Sequence, residues 1–260
     1  MDVIEALRLS VEWGADEALL EVPQDRRGQA APVAPAAPAA SAAAPPRKAR
    51  AVSALPAGPA DATRIAARCE TLEALEQAMA AFAGCALRDT ATQTVFADGA
   101  ADAELMLVGD APGAEEDRAG RPFAGPDGAL LDQMLGSIGL DRSRVRIVNV
   151  IPWRPPGNRQ PTESEIALCL PFLLRHIALV RPRGLYLLGA VAAKAMLPEP
   201  ERSLGIRRLR GTWREVTVPG IDGPLPCLPS YHPAYLRRMP SAKGESWHDL
   251  LALRAWLSPK

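Results

Sequence analysis

Leu105-Met106-Leu107-Val108-Gly109-Asp110-Ala111-Pro112-Gly113 decides how the chain is read, because an unbroken apolar run stops abruptly at a glycine and a carboxylate. A short apolar run bounded by turn-forming residues is the pattern of a strand buried on both faces. The pattern recurs. Residues 145–148 end at Asn149, residues 185–188 end at Gly189, and the segment around Cys227 and Leu228 leads to Tyr231-His232-Pro233. Between these runs, residues 129–138, 163–180 and 191–197 read as helices. Thr162 is the expected N-cap of the second, with Glu165 closing a capping box, and Pro171 should kink it. Strands alternating with helices imply an α/β fold, a three-layer sandwich around a central, mainly parallel, four-stranded sheet. Such sheets bind ligands beyond the carboxyl ends of their strands, where the polar residues of all four runs converge.

Working outward, residues 3–20 space Ile4, Leu7, Val11, Trp13, Leu19 and Leu20 at roughly helical intervals, so residues 1–22 form a short amphipathic helix. Residues 23–60 are rich in alanine and proline and cannot bury enough apolar surface to offset ordering entropy, which makes them a disordered linker. The folded domain is placed at residues 61–260, opening with helical periodicity over residues 65–83. The N-terminal helix is either a tethered interaction motif with a protein partner or a dispensable tail.

Thirty basic side chains balance thirty acidic ones, so a nucleic-acid partner would have to be held by a local basic face and not by net charge. Acids crowd the first residues, whereas Arg202, Arg207, Arg208, Arg210, Arg214, Arg237, Arg238 and Lys243 gather near the end. No apolar run reaches the ~20 residues of a membrane span, and the start is acidic, so a cytoplasmic protein without a membrane partner is expected. Its four cysteines include no CxxC pair and read as buried thiols.

The residues at the strand ends resemble those of the family 4 uracil-DNA glycosylases, the iron-sulfur branch. Gly109-Asp110-Ala111-Pro112-Gly113-Ala114-Glu115-Glu116-Asp117, continuing Gly120-Arg121-Pro122-Phe123-Ala124-Gly125, is similar to the family's GEAPGxxED and GxPFxG motifs. The stretch from Val148-Asn149 to Asn158-Arg159 resembles its TNVVKCRPPxNR segment, Arg210-Gly211 its RG pair, and Tyr231-His232-Pro233-Ala234 its closing HP motif. The resemblance implies a monomeric repair enzyme that hydrolyses the N-glycosidic bond of deoxyuridine in single- or double-stranded DNA. The base would be flipped into a pocket, because it cannot be reached inside a duplex.

By this resemblance, Phe123 is the stacking ring, and Asn149 reads the base along its Watson–Crick edge. His232 donates toward uracil O2 as negative charge develops there. Asp110 stands where the family has glutamate, one methylene shorter, and either positions the attacking water or screens the cationic sugar. Glu116 or Asp117 orients the loop. Gly109, Ala111, Pro112 and Gly113 let the backbone approach the substrate. Leu236 is the candidate wedge for the gap left by the flipped base, with Arg207, Arg210, Arg237 and Arg238 as phosphate contacts; the alternative is that Leu236 packs in the core and Arg237 and Arg238 are solvated. Alternatives are a catalytically weak DNA-binding accessory module of the same fold, and a glycosylase for another deaminated base such as hypoxanthine.

The family holds a four-iron four-sulfur cluster with four cysteines. Cys85 and Cys169 match two of those positions, but Phe82 and Trp153 occupy the other two, and neither side chain can ligate iron. No cluster and no other cofactor is expected, and the two aromatic rings should fill its space. Cys69 and Cys227 lie outside the pattern.

Overall fold

A computed structural model describes residues 58–258. The helix expected over residues 1–22 and nearly all of the linker lie outside the described residues. Helix α1 (Pro59–Ala67) takes the last two residues assigned to the linker: Pro59 is tolerated in a first helical turn, and the Asp61 side chain accepts from the Gly58 backbone N–H at 3.3 Å. The single periodic stretch expected over residues 65–83 is two helices, α1 and α2 (Leu72–Ala81). The break comes from Thr71, whose hydroxyl accepts from Ala74 N–H at 3.1 Å and starts a new helix.

In chain order there follow α3 (Leu87–Thr90), β1 (Asp98–Gly99), β2 (Leu105–Gly109), α4 (Ala114–Ala119), α5 (Pro126–Ser137) and β3 (Val145–Asn149). The second half comprises α6 (Glu163–Val180), β4 (Gly184–Leu188), α7 (Ala190–Met196), α8 (Ile206–Leu209), β5 (Arg214–Val216), β6 (Leu225–Ser230), α9 (Pro233–Arg238) and α10 (Lys243–Leu257). Helix α6 carries the expected capping box at Thr162 and Glu165 and runs through Pro171.

The sheet has six strands, in the order β1-β3-β2-β4-β6-β5. Its four central strands are the four expected apolar runs and are mutually parallel; β1 and β5 add antiparallel edges. Those edges carry no apolar run because they are two and three residues long and only partly buried. From β2 the chain crosses first to β3 and then back to β4 on the other side. This reversal opens a crevice at the carboxyl ends of β2 and β4.

Alternation along the strands divides the core in two. Leu105 and Leu107 point into a cluster under α5 and α10, while Met106 and Val108 point into a larger one under α1, α2, α6 and α7. The larger cluster contains Phe82 and Trp153. The Phe82 ring meets Phe172 edge-on at 5.2 Å, and the buried Trp153 indole donates to Thr94 Oγ1 at 3.1 Å. An indole that fills core volume and satisfies its N–H makes a specific, costly contribution. Trp153→Ala is expected to lower unfolding free energy by about 3–5 kcal/mol in chemical denaturation, with Trp153→Phe costing clearly less.

Candidate functional site

The parallel register pairs Gly109 with Asn149, so the last residues of β2 and β3 stand side by side. An added Cβ on Gly109 would collide with Asn149 Oδ1 and come within 2.7 Å of the Phe123 ring, so the amide and the ring edge both rest on the bare Cα. Asn149 is 7% exposed, and its Nδ2 has no hydrogen-bond partner among the described residues. A buried amide N–H left unmade costs roughly 1–3 kcal/mol, which makes this position a candidate ligand contact.

Phe123 adopts a left-handed backbone (φ 51°), unusual for a bulky residue, and several groups hold it there. The Glu116 carboxylate accepts from the Phe123 N–H at 2.6 Å and also from the Gly113 N–H. Arg142 donates to the Phe123 carbonyl at 2.7 Å. Gly128 lies so close to that carbonyl that any side chain there would collide with it. Asp117, on α4, is buried and accepts from Thr92 N–H at 2.8 Å, the Thr92 hydroxyl at 2.9 Å and Gln93 N–H at 3.2 Å. Glu116 therefore holds the loop at Gly113 and Phe123, whereas Asp117 ties α4 to the 92–93 segment. Arg142 and Gly128 were not anticipated; a contact between residues nineteen apart leaves no local signature.

His232 is the N-cap of α9, and its Nδ1 accepts from Ala234 N–H at 3.1 Å. With Nδ1 an acceptor, the neutral ring carries its proton on Nε2. Burial pushes its pKa down to about 4, so the imidazole is neutral at pH 7. The ring stacks on Phe123 with centroids 5.2 Å apart. A planar base inserted between them would need about 7 Å, two van der Waals contacts of about 3.5 Å, so the rings must part by roughly 2 Å to admit one there.

Asp110 lies across the crevice. Its carboxylate rests on Gly189 (φ +120°), where an added Cβ would lie 2.5 Å from Oδ1, and it accepts from Ala192 N–H at 2.8 Å. Burial drives its pKa up to about 7, against the N–H groups of Ala192 and Val191. Together with Ala111, Pro112, Gly113, Tyr231 and His232, Asp110 lines a cleft of about 470 Å³. Phe123, 1% exposed, and Asn149 lie outside this lining.

The expected phosphate contacts and wedge fare differently. Leu236 is 1% exposed and belongs to the core cluster under α5 and α10, so the exposed wedge reading is corrected: helical periodicity turns this side chain inward. Arg210 is also corrected, because its guanidinium is committed to Asp249 at 2.5 and 3.0 Å and to Glu245. Arg237 pairs with Asp127 at 2.7 Å. Arg207 and Arg238 are exposed, and Arg238 lines the cleft.

Cys85 and Cys169 are buried free thiols; Cys169 draws Cys85 down to about 7, while Cys85 and burial push Cys169 well up. Among the described residues no group of three or more His, Cys, Asp or Glu side chains could hold a metal ion, and no helix is long and apolar enough to cross a membrane. With Phe82 and Trp153 as buried hydrocarbon, the residues present do not fit a four-thiolate cluster.

The raised Asp110 pKa makes a stability prediction. The folded-state value of about 7 lies above the ordinary carboxylate value of 3.8, so wild type loses stability as pH rises through that window. Asp110→Asn keeps the acceptor for Ala192 but carries no charge. Thermal unfolding should show the variant gaining on wild type between pH 3.8 and about 7, with a constant gap above. A pH-independent gap would contradict the burial of the charge.

Residues 96–251 match the family model described as the Uracil DNA glycosylase superfamily. The type-4 uracil-DNA glycosylase of Pyrobaculum aerophilum is 38% identical over 167 residues, covering 64% of this chain and 84% of the relative. Those of Thermotoga maritima (36% identical, 65% and 84% covered) and Archaeoglobus fulgidus (36%, 69% and 90%) are also similar. With a family match spanning more than half its length, and with the strand-end geometry described above, the chain belongs to the uracil DNA glycosylase superfamily.

Proposed function

We propose that this protein releases uracil from DNA by hydrolysing the N-glycosidic bond, leaving an abasic site. The observation that carries the reading is the unpartnered, buried Asn149 Nδ2 beside Gly109 and the Phe123 ring. An amide in this position can donate to uracil O4 through Nδ2 and accept from N3–H through Oδ1, which satisfies the orphaned donor. Phe123 supplies the aromatic face for the everted base once the His232 ring moves off it.

As the C–N bond breaks, negative charge gathers on uracil O2 and positive charge on the sugar. The Nε2–H of a neutral His232 serves the first, and needs no proton transfer to do so. The Asp110 carboxylate serves the second, by orienting water or screening the oxocarbenium ion. A pKa near 7 makes Asp110 ionise within the working range, so single-turnover release should rise with pH through about 7. His232 stays neutral throughout that range. Of the four expected phosphate contacts, Arg207 and Arg238 are exposed and carry no ion pair among the described residues.

Relatives of this type are a group that usually carries an iron-sulfur cluster; in this chain we propose that Phe82 and Trp153 replace it by burial. The chemistry above uses no metal. Protein purified without chelators should hold no stoichiometric iron and show no visible cluster absorbance.

The reading is tested by uracil release from single- and double-stranded oligonucleotides. Asn149→Ala and His232→Ala should each lose about 10²- to 10³-fold in turnover while remaining folded. An unchanged rate in the His232 variant would refute its role, and a wild type that binds DNA while leaving uracil attached would be an accessory module. Hypoxanthine-containing oligonucleotides in the same assay define the range of bases.

A further inference from the structure

Arg210 is held by acids, and what those acids hold in turn is the strand end that carries His232. The Asp249 carboxylate, fully buried on α10, accepts from Arg210 Nε at 3.0 Å, Arg210 Nη2 at 2.5 Å and the Ser230 hydroxyl at 2.7 Å. Glu245, one helical turn earlier, accepts from the Tyr231 hydroxyl at 2.8 Å and from Arg210 Nη1 at 3.3 Å, and its backbone carbonyl accepts from Arg210 Nη2. The guanidinium also lies over the Tyr231 ring, 5.3 Å from its centroid. Ser230 and Tyr231 are the two residues before His232.

Gly211 completes the arrangement. Its N–H donates to the Pro229 carbonyl at 3.0 Å, its φ is +71°, and an added Cβ would lie 2.6 Å from Asp249 Oδ1. The Arg210-Gly211 pair thus fits around one carboxylate, the arginine satisfying it and the glycine making room for it. From the opposite side, Gly189 N–H donates to the Ser230 carbonyl at 3.0 Å, next to the Asp110 carboxylate.

We infer that Arg210, Asp249 and Glu245 form a clamp that fixes the direction in which the 230–232 segment aims the His232 imidazole, making Arg210 a positioning residue and not a DNA contact. The inference rests on the proposed role of His232. A buried carboxylate is costly unless paired and hydrogen-bonded, and here the partners are the guanidinium and Ser230, so moving either away from Asp249 carries that cost. A planar fork with donors on three nitrogens is what the site uses. A lysine ammonium supplies the charge but not the fork.

The test is single-turnover uracil release at saturating duplex oligonucleotide, together with the salt dependence of binding to an abasic-analogue duplex. For Arg210→Lys the clamp requires the rate constant to fall by roughly 10- to 100-fold, the effect of misaiming a reacting group by a fraction of an ångström to about 1 Å, with KM and salt slope unchanged. Tyr231→Phe, which removes one hydroxyl and leaves the core filled, should fall in the same direction by less, and it carries the test should the lysine variant not fold. A merely structural role would lower the amplitude of the transient and not its rate constant. A phosphate contact would be largely rescued by lysine, and Arg210→Gln would then reduce the salt slope by about 0.9. Wild-type rate constants in both variants, or that loss of slope, would overturn the clamp while leaving the proposed function standing. Failure of wild type to release uracil would overturn both.

Discussion

The bare Cα of Gly109 is the constraint on which the rest of the site depends. Parallel pairing sets it beside Asn149, and the absence of a side chain lets the amide and the Phe123 ring close onto the same point. The consequences run outward. To reach Gly109, Phe123 takes a left-handed backbone, and that strain is offset by Glu116 and Arg142 at its two peptide groups and by the space left at Gly128. A loop held at both ends fixes the Phe123 ring against Gly109.

Burial moves the pKa values of Asp110 and His232, which face each other in the proposed chemistry, in opposite directions. It keeps His232 neutral with its proton on Nε2, a donor, and it brings Asp110 to the edge of ionisation near pH 7. The hydrogen bond from Ala192 N–H tempers the cost for Asp110. Behind His232, burial pushes the Asp249 carboxyl pKa up while the hydrogen bonds from Ser230 and Arg210 oppose that shift, which ties this carboxylate into the scaffold.

Much of this was legible in the sequence, because the strands of the parallel core are continuous apolar runs and their polar terminators mark the rim. Gly109, Asn149, Asp110 and His232 all followed from that rule. The short edge strands did not, since two or three partly buried residues leave no periodicity to read. The inward turn of Leu236 and the ion pairs of Arg210 and Arg237 were hidden for another reason: each is set by what packs against it, and those partners are not local, since Arg237 meets Asp127 of α5, 110 residues earlier, and Arg210 meets Asp249 of α10, 39 residues later. Charge type marks a candidate for phosphate, whereas only the fold shows which candidates are already neutralised.

The most direct test of the account is the structure of the protein with free uracil. The account requires the base to lie on Phe123 with the His232 ring displaced from its present 5.2 Å contact, one uracil carbonyl about 3 Å from Asn149 Nδ2 and the other facing His232 Nε2. Uracil bound elsewhere in the cleft, with Asn149 Nδ2 still unpartnered and the two rings still in contact, would contradict it.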